Sequence, residues 1–386
     1  MRLGIVGGGL QGLEAAYLAG KAGWEVRLLD RRPEVPAQGL ADSFVQGDAA
    51  DPTVLDREMR GVDLLLPALE DTPVLEALAR WAGWNGVPLA FDLSAYVVSS
   101  SKRASNRLFR KLGLELPREW PECGLPVLVK PDGLSGSRGV RVFWGEEALR
   151  SWLASPRDPK AWVAQEYLEG PSYSIEVLGS PGAYRPLQVT ALDMDAGYDC
   201  KRVRASAPVE AEPGRELQRL AVRLAEAVQL HGLMDVEVIL HDGRLKLLEI
   251  DARLPSQTPI AVFWSTGYNM VAALASLFLG PVPPGPLPAA AGWRAAVLEH
   301  VHVSGNRLEV TGEHVLARRG PLRVERGFFG VEEAITDRAP GRSDWVATLL
   351  VTGGDAGQAW RRRCEAVEAI RSAHGLDECQ DPEPPQ

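Results

Sequence analysis

The sequence predicts an α/β protein of two or three domains, on three observations. An N-terminal strand, Arg2–Val6, runs into the glycine turn Gly7–Gly12 and then a helical pattern, as in a parallel βαβ unit. A hairpin within Leu233–Pro259 carries three carboxylates on alternating positions. Between these two stretches, a strand ending in lysine, Pro126–Lys130, is followed by a loop of small residues and a second strand, which reads as antiparallel. The 386 residues, 45% of them hydrophobic, are enough to bury more than one core.

The N-terminal pattern continues through the helix Leu13–Ala22 and the strand Glu25–Leu29, which ends at Asp30. This is the G-x-G-x-x-G arrangement of a Rossmann-like unit, with an acid closing the second strand. Such a turn lets a polar or anionic ligand approach a helix N-terminus; a tight turn alone also demands glycine. Taken by itself, the motif fits an NAD-dependent oxidoreductase, but that reading leaves the carboxylate hairpin and the lysines without a task. A strand at Phe44–Val45 precedes Gly47–Asp48, and Val62–Leu66 leads to Glu70. Glu70 then lies at the C-terminal end of a strand, where open α/β sheets bind ligands. Alternatively, Glu70 or Asp71 favours the start of the helix Pro73–Ala82. Leu89–Asp92 closes a domain of residues 1–95.

A second domain, 96–280, opens with Ser99, Ser100 and Ser101 as caps for a helix from Lys102 to Leu112 that ends at Gly113. Within it, residues 114–170 form a lid. The loop Asp132–Gly139 between Pro126–Lys130 and Val140–Phe143 offers free N–H groups and hydroxyls beside Lys130, so it can fold over phosphates; it reads equally as a long polar hairpin loop. Trp162–Gly170 is a strand running into a linker, whose backbone can pair with an adenine edge. Tyr173–Val177 places Ser174 and Glu176 on one face. Asp193, Asp195 and Asp199 either attract an ammonium group or line a solvated loop, the second reading fitting Asp193 and Asp195 better. A helix spans Arg215–Leu230.

In the hairpin, alternation puts Asp235, Glu237 and Ile239 on one face, and, after a turn at His241–Arg244, Leu247, Glu249 and Asp251 on one face. Three converging carboxylates, Glu237, Glu249 and Asp251, repel one another unless a cation lies between them, and Mg²⁺ is a natural one. The alternative is a solvated face with scattered acids. Arg253, on the side of Asp251, is placed to stabilise charge on a transferring group. Ala261–Leu279 reads as a helix on a core, being too interrupted by polar residues to span a membrane. The proline-rich run Gly280–Pro288 marks a boundary, and 281–386 form a C-terminal α/β domain with strands Ala295–Val303, Arg307–Val310 and Trp345–Val351, the helix Ala356–Ala373 and a disordered tail from Asp381. His300 and His302 read as structural.

The net charge of −9 argues against nucleic acid or an anionic membrane held by bulk charge. The four cysteines lack a C-x-x-C spacing, so neither a zinc site nor a redox pair is indicated. With no signal-peptide pattern at the N-terminus, a soluble cytoplasmic protein is expected.

Lys102, Lys130, the Gly133–Gly139 loop, the Gln165–Gly170 linker and the carboxylate hairpin occur in an order that resembles the ATP-grasp ligases. The resemblance implies an ATP-grasp fold with a Rossmann-like pre-domain. It also implies that Lys102 and Lys130 contact ATP phosphates, that Ser135, Gly136 and Ser137 close over them, that Gln165, Glu166, Tyr167 and Leu168 hold adenine and Glu169 the ribose, and that Glu237, Glu249 and Asp251 hold two Mg²⁺ ions. Many members carry asparagine where this chain has Asp251, and an acid where it has Pro171-Ser172. The segments GGGLQGLEAAYLAGKAG, Tyr198–Cys200, Met234–Glu237 and Glu249–Pro259 further resemble the ligases of pyrrolysine biosynthesis, which use ATP to join 3-methyl-D-ornithine to the ε-amine of L-lysine. By that resemblance, Leu10, Gln11 and Glu70 hold lysine; Ser174, Ile175, Glu176, Asp235, Arg253 and Ser256 surround the ornithine; and Arg253 and Lys130 serve catalysis. Some relatives bind a second nucleotide in the pre-domain, which here would lie near Gly9, Asp30 and Asp48. A homodimer is compatible with superfamily habit, and another amino-acid pair remains an alternative.

Overall fold

The computed structural model describes residues 1–154, 158, 161–205, 211–280, 285 and 287–384. The chain begins as the glycine turn predicts. Strands β1 (Arg2–Val6), β2 (Glu25–Asp30), β3 (Ser43–Gln46) and β4 (Leu64–Pro67) form a parallel sheet in the order β3-β2-β1-β4. Helix α1 (Leu10–Lys21) follows the turn, and α2 (Pro52–Glu58) and α3 (Thr72–Asn85) complete the unit. Leu3, Ile5, Leu28 and Leu64 are fully buried, as strands covered on both faces require. Asp71 caps α3 by accepting from the Val74 N–H at 3.3 Å, which leaves Glu70 free to point elsewhere. Leu89 joins this sheet only through a bridge to Leu65.

Asp92 caps a helix that alternation did not reveal, α4 (Leu93–Ser99), and Ser101 caps α5 (Lys102–Lys111) through the Ala104 N–H at 3.1 Å. The lid is a small antiparallel sheet, β6-β5-β7, made of β5 (Val127–Pro131), β6 (Arg141–Phe143) and β7 (Trp162–Glu166), with α6 (Glu146–Leu153) against it. Then come β8 (Ser172–Ser180), β9 (Ala183–Met194), β10 (Cys200–Ala205), α7 (Ala211–Val228), β11 (Gly232–His241) and β12 (Arg244–Asp251). The β11–β12 turn is two residues, Asp242 and Gly243, with φ of 49° and 72°. Both are left-handed, as a type I′ hairpin needs, and glycine meets that requirement without steric cost.

The apolar stretch Ala261–Leu279, expected as one helix, is two: α8 (Thr258–Thr266) and α9 (Met270–Leu279), meeting at 99°. Gly267 ends the first with φ 77°, and Asn269 caps the second through the Ala272 N–H at 3.0 Å. No single helix among the described residues is long and apolar enough to cross a membrane. Of the run expected as a linker, residues 281–284 and 286 lie outside the described residues.

The C-terminal part contributes β13 (Ala295–Ser304), β14 (Arg307–Val310), α10 (His314–Ala317), β15 (Arg323–Arg326), β16 (Glu333–Thr336), β17 (Asp344–Gly353), α11 (Ala356–His374) and β18 (Glu378–Gln380). Its strands continue the central sheet. Among the described residues the order is β12-β11-β8-β9-β10-β13-β17-β16-β15, with β14 and β18 off β13. The sheet therefore runs without a break across the expected boundary near residue 280. His300 lies in this core against Thr348 Oγ1 at 2.9 Å, whereas His302 is partly exposed and meets the exposed Asp344 at 3.3 Å. The tail expected to be disordered is held through residue 384. Asp381 pairs with Lys201 at 2.7 Å, Arg202 at 2.6 Å and Arg363 at 3.3 Å; those three cations are buried, and Glu299 and Asp193 balance only the arginines. Residues 385 and 386 of that tail lie outside the described residues.

Candidate active site

Three neighbouring strands put the acids in rows. β11 pairs β8 and β12 so that Glu176, Asp235 and Asp251 stand side by side, and the next row is Ser174, Glu237 and Glu249. Side chains directly opposite on one face are near neighbours, so the carboxylates meet as the alternation predicts. One part of that alternation fails. A bulge after Glu237 pairs Val238 with Leu247 and leaves Leu248 over. Leu247 therefore turns into the core with Val236, Val238 and Ile250, off the carboxylate face expected for it. The bulge also aims the Leu248 carbonyl at Lys130, whose ammonium donates to it at 3.3 Å.

Burial pushes the carboxyls of Glu176, Asp235 and Glu237 upward, and their mutual repulsion adds to it. Asp251 is pushed up to about 7, chiefly by burial and against the pull of Arg253. The cations that answer them come from other segments. Lys102, in the first turn of α5, reaches Glu249 at 2.8 Å and donates to the Leu134 carbonyl at 2.6 Å. Arg253 reaches Asp251 at 2.6 Å and Glu70 at 2.7 Å. Lys130 is buried, which lowers its pKa. Among the described residues no group of three or more His, Cys, Asp or Glu side chains forms a ready metal cage. The donor set still suits Mg²⁺, which takes one or two carboxylates and completes its shell with water and phosphate oxygens.

The small-residue loop is tied down at three places. Ser135 donates to Glu70 at 2.6 Å, the Ser137 hydroxyl donates to the Tyr198 carbonyl, and Gly136 rests on the ring of His314. Glu70 also accepts from Gln11 at 2.7 Å. Although burial works against it, Arg253 and Ser135 hold the Glu70 carboxyl below its usual range. One carboxylate thus joins the first domain, the loop and the bend after β12 that carries Arg253.

Three clefts surround these groups. The first, of about 490 Å³, lies between the N-terminal sheet and the loop and includes Gly9, Leu10, Gln11, Asp30, Asp48 and Glu70. Asp30 is already engaged there, accepting from the Gly8 N–H at 2.7 Å and pairing with Arg32 at 3.3 Å. The second, of about 400 Å³, is bounded by the lid, by Lys102 and Lys130, and by Gln165–Gly170, with Glu237 and Glu249 at its floor. In the linker, the N–H groups of Glu166 and Tyr167 are taken by the Arg118 and Pro126 carbonyls, at 2.8 Å and 3.0 Å. The N–H groups of Leu168, Glu169 and Gly170 have no protein partner among the described residues, so the linker offers these donors to a ligand. Glu383 and Pro384 of the tail stand at the rim of this cleft. The third, of about 130 Å³, is lined by Asp199, Asp235, Asp251, Arg253, Ser256 and Glu313 among others. Ile175 turns away from it into the core, so only its backbone could serve a ligand. Glu176 is fully buried and lines none of the three clefts.

Asp193 and Asp195 are more engaged than a solvated loop would be. Asp193 pairs with Arg202 at 3.0 Å and Arg204 at 2.8 Å, and Asp195 accepts from the Gly312 N–H at 2.9 Å. Asp199 meets His314 at 2.7 Å. Glu313 and His314 went unread in the sequence because a single helical turn carries them, far along the chain from the strands they face.

Comparison with known proteins places these features. An ATP-grasp domain model matches residues 99–257. The chain is 31% identical over 373 residues to the 3-methyl-D-ornithine–L-lysine ligase of Methanosarcina barkeri, covering 96% of this chain and 98% of that one. The fold is similar to an ADP complex of N5-carboxyaminoimidazole ribonucleotide synthetase, with a TM-score of 0.70, 15% identity and 97% of each chain covered. It is also similar to the biotin carboxylase domain of Hydrogenobacter thermophilus 2-oxoglutarate carboxylase, with a TM-score of 0.72, 15% identity, 95% of this chain and 89% of that one. With two buried lysines, a small-residue loop and a carboxylate floor in that order, and 31% identity over nearly the whole of both chains, the chain belongs to the 3-methyl-D-ornithine–L-lysine ligase family of the ATP-grasp superfamily and is an ATP-dependent carboxylate–amine ligase.

Proposed function

We propose that this ligase joins 3-methyl-D-ornithine to the ε-amine of L-lysine, with ATP converted to ADP and phosphate, as a step of pyrrolysine biosynthesis. The observation that carries the reading is the adjacency of the nucleotide-sized cleft, floored by Glu237 and Glu249, to a small acidic cleft that shares Glu237, Glu249, Ser137 and Gly136 with it. A phosphoryl donor and a small carboxylic acid bearing amino groups can therefore meet at one wall. The 31% identity over nearly the full length of both chains supports this pair of amino acids.

In this reading Lys102 and Lys130 neutralise phosphate oxygens, Ser135–Ser137 cover them, and Gln165–Glu169 hold the nucleoside, with the N–H groups of Leu168, Glu169 and Gly170 as the free donors. Glu237, Glu249 and Asp251 would hold Mg²⁺, two ions in the fullest form of the reading, which supply charge neutralisation on the phosphates when bound. Ser174, Asp235, Arg253 and Ser256 surround the ornithine, and Glu176, buried beside Asp235, acts on it only through its charge. Leu10, Gln11 and Glu70 receive lysine in the first cleft. The donor carboxylate attacks the γ-phosphorus, ADP leaves, and an acyl phosphate results. The lysine ε-nitrogen then attacks the acyl carbon, and the carbon–oxygen bond to phosphate breaks. Arg253 stabilises charge on the acyl and phosphoryl oxygens, and the pinned loop keeps water from the acyl phosphate.

The test is phosphate release from ATP with L-lysine fixed and the second amino acid varied, with mass spectrometry of the product. Lysine-dependent release with 3-methyl-D-ornithine and the mass of the amide is the expected result. Release with a different pair only would keep the ligase and overturn these substrates.

A further inference from the structure

We propose that Glu313 is the general base that takes the proton from the attacking ammonium of the amine substrate. The proposal rests on the amide-forming reading above. The first and third clefts share a short wall made of Ser135, Gly136, Arg253, Ser256 and Glu313, and Glu313 supplies the wall's carboxylate, hydrogen-bonded by Ser256 and Gln257 but in no ion pair among the described residues. An amine entering through the first cleft must cross that wall to reach an acyl phosphate in the third. The other acids are less able to act there. Glu176 is sealed from both clefts, Asp235 is held by the Ser174 hydroxyl, and Glu70 already pairs with Arg253 at 2.7 Å. Glu313 has no ion pair among the described residues, and its backbone fixes its place: its N–H donates to the Cys200 carbonyl at 3.1 Å, and it leads directly into α10.

Its surroundings favour proton uptake. Burial raises the Glu313 pKa, and Asp199 raises it further; Ser256, Gln257 and His314 oppose this. Glu14 of α1 and Cys200 of β10 also lie within its field, and Arg138 of the lid loop faces neighbouring His314. A carboxylate raised toward neutrality is a better match to an ammonium than one left in water. In the step, the ε-ammonium gives one proton to the Glu313 carboxylate. The freed lone pair forms the carbon–nitrogen bond as the carbon–oxygen bond to phosphate breaks. The second nitrogen proton leaves with the phosphate, and Glu313 returns its proton to solvent after product release.

The experiment compares Glu313→Gln and Glu313→Asp with the unaltered enzyme, using lysine and, separately, hydroxylamine as the amine. Hydroxylamine is already neutral at neutral pH and needs no base, so it reports acyl phosphate formation alone. E313Q is expected to lose on the order of 100-fold or more in lysine-dependent kcat, with little change in the KM for lysine. It should form hydroxamate at close to the unaltered rate, regain lysine-dependent rate as pH rises toward the ε-amine's own pKa, and be partly rescued in E313D. Unaltered lysine kcat in E313Q, a rise in KM alone, or a parallel loss of hydroxamate would each overturn the proposal. Absence of hydroxamate from the unaltered enzyme would instead defeat the ligase reading on which it rests.

Discussion

Arg253 is the residue on which most of the site's charge converges. It is 10% exposed and bridges Asp251 and Glu70, one from the carboxylate hairpin and one from the first domain. An arginine held between two buried acids is oriented before any substrate arrives, and preorganised charge is what stabilises a transferring group. Arg253→Ala should therefore lower turnover by about 100-fold, on the order of 3 kcal/mol, while the KM for ATP moves little. Steady-state kinetics check this, and near-normal turnover would remove Arg253 from the mechanism. His300 makes a different prediction at the same scale. Burial lowers its pKa from 6.5 to about 3, so the unfolded chain takes up a proton that the folded chain refuses. Its contribution to stability is complete above pH 6.5 and declines as pH falls below it, by up to about 1.4 kcal/mol per pH unit. Urea midpoints measured at neutral pH and near pH 5 should differ less in His300→Gln than in the unaltered protein.

At the scale of elements, the parts legible in the sequence were those fixed by local pattern. Alternation in β11 and β12 forecast the carboxylate rows, because period-two side chains on paired strands must share a face. The glycine turn after β1 and the serine cap of α5 were equally local. The bulge at Leu248 was not, since one extra residue leaves the composition of the strand unchanged while turning Leu247 over. The break between α8 and α9 was marked by Gly267 and Asn269, which a purely hydropathic reading passes over. The loop Asp132–Gly139 was legible as a small-residue loop but not as a bridge, because Glu70, Tyr198 and His314 are distant in sequence. Its closed form has a direct consequence. Gly136 has a φ of 60°, and a Cβ there would stand 2.7 Å from the His314 ring. Gly136→Ala should raise the KM for ATP and lower turnover, with the melting temperature nearly unchanged. Unchanged kinetics would show that the loop's seat against α10 is irrelevant to the reaction.

For the whole molecule, one sheet carries residues from the second domain and the C-terminal part alike, and the tail returns across it to the rim of the cleft lined by Lys102 and Lys130. The tail's composition suggested disorder because it is short, proline-rich and acidic; what holds it is a set of buried cations contributed by β10 and α11. Removing residues 381–386 deletes the carboxylate that Lys201, Arg202 and Arg363 share. Asp381 is 35% exposed and Glu299 still serves both arginines, so solvent screening discounts the loss to about 1–2 kcal/mol. Thermal melts should show the lower stability, and the KM for ATP should rise as the rim at Glu383 and Pro384 is lost. A truncated chain with unchanged melting and unchanged KM would show the tail to be passive. In the proposed reaction the converging domains activate a carboxylate as an acyl phosphate. The most direct measurement labels both carboxylate oxygens of the proposed acyl donor, 3-methyl-D-ornithine, with oxygen-18 and follows the label by mass spectrometry. Transfer of one labelled oxygen into the released phosphate is the predicted result. Unlabelled phosphate, or label in AMP, would contradict it.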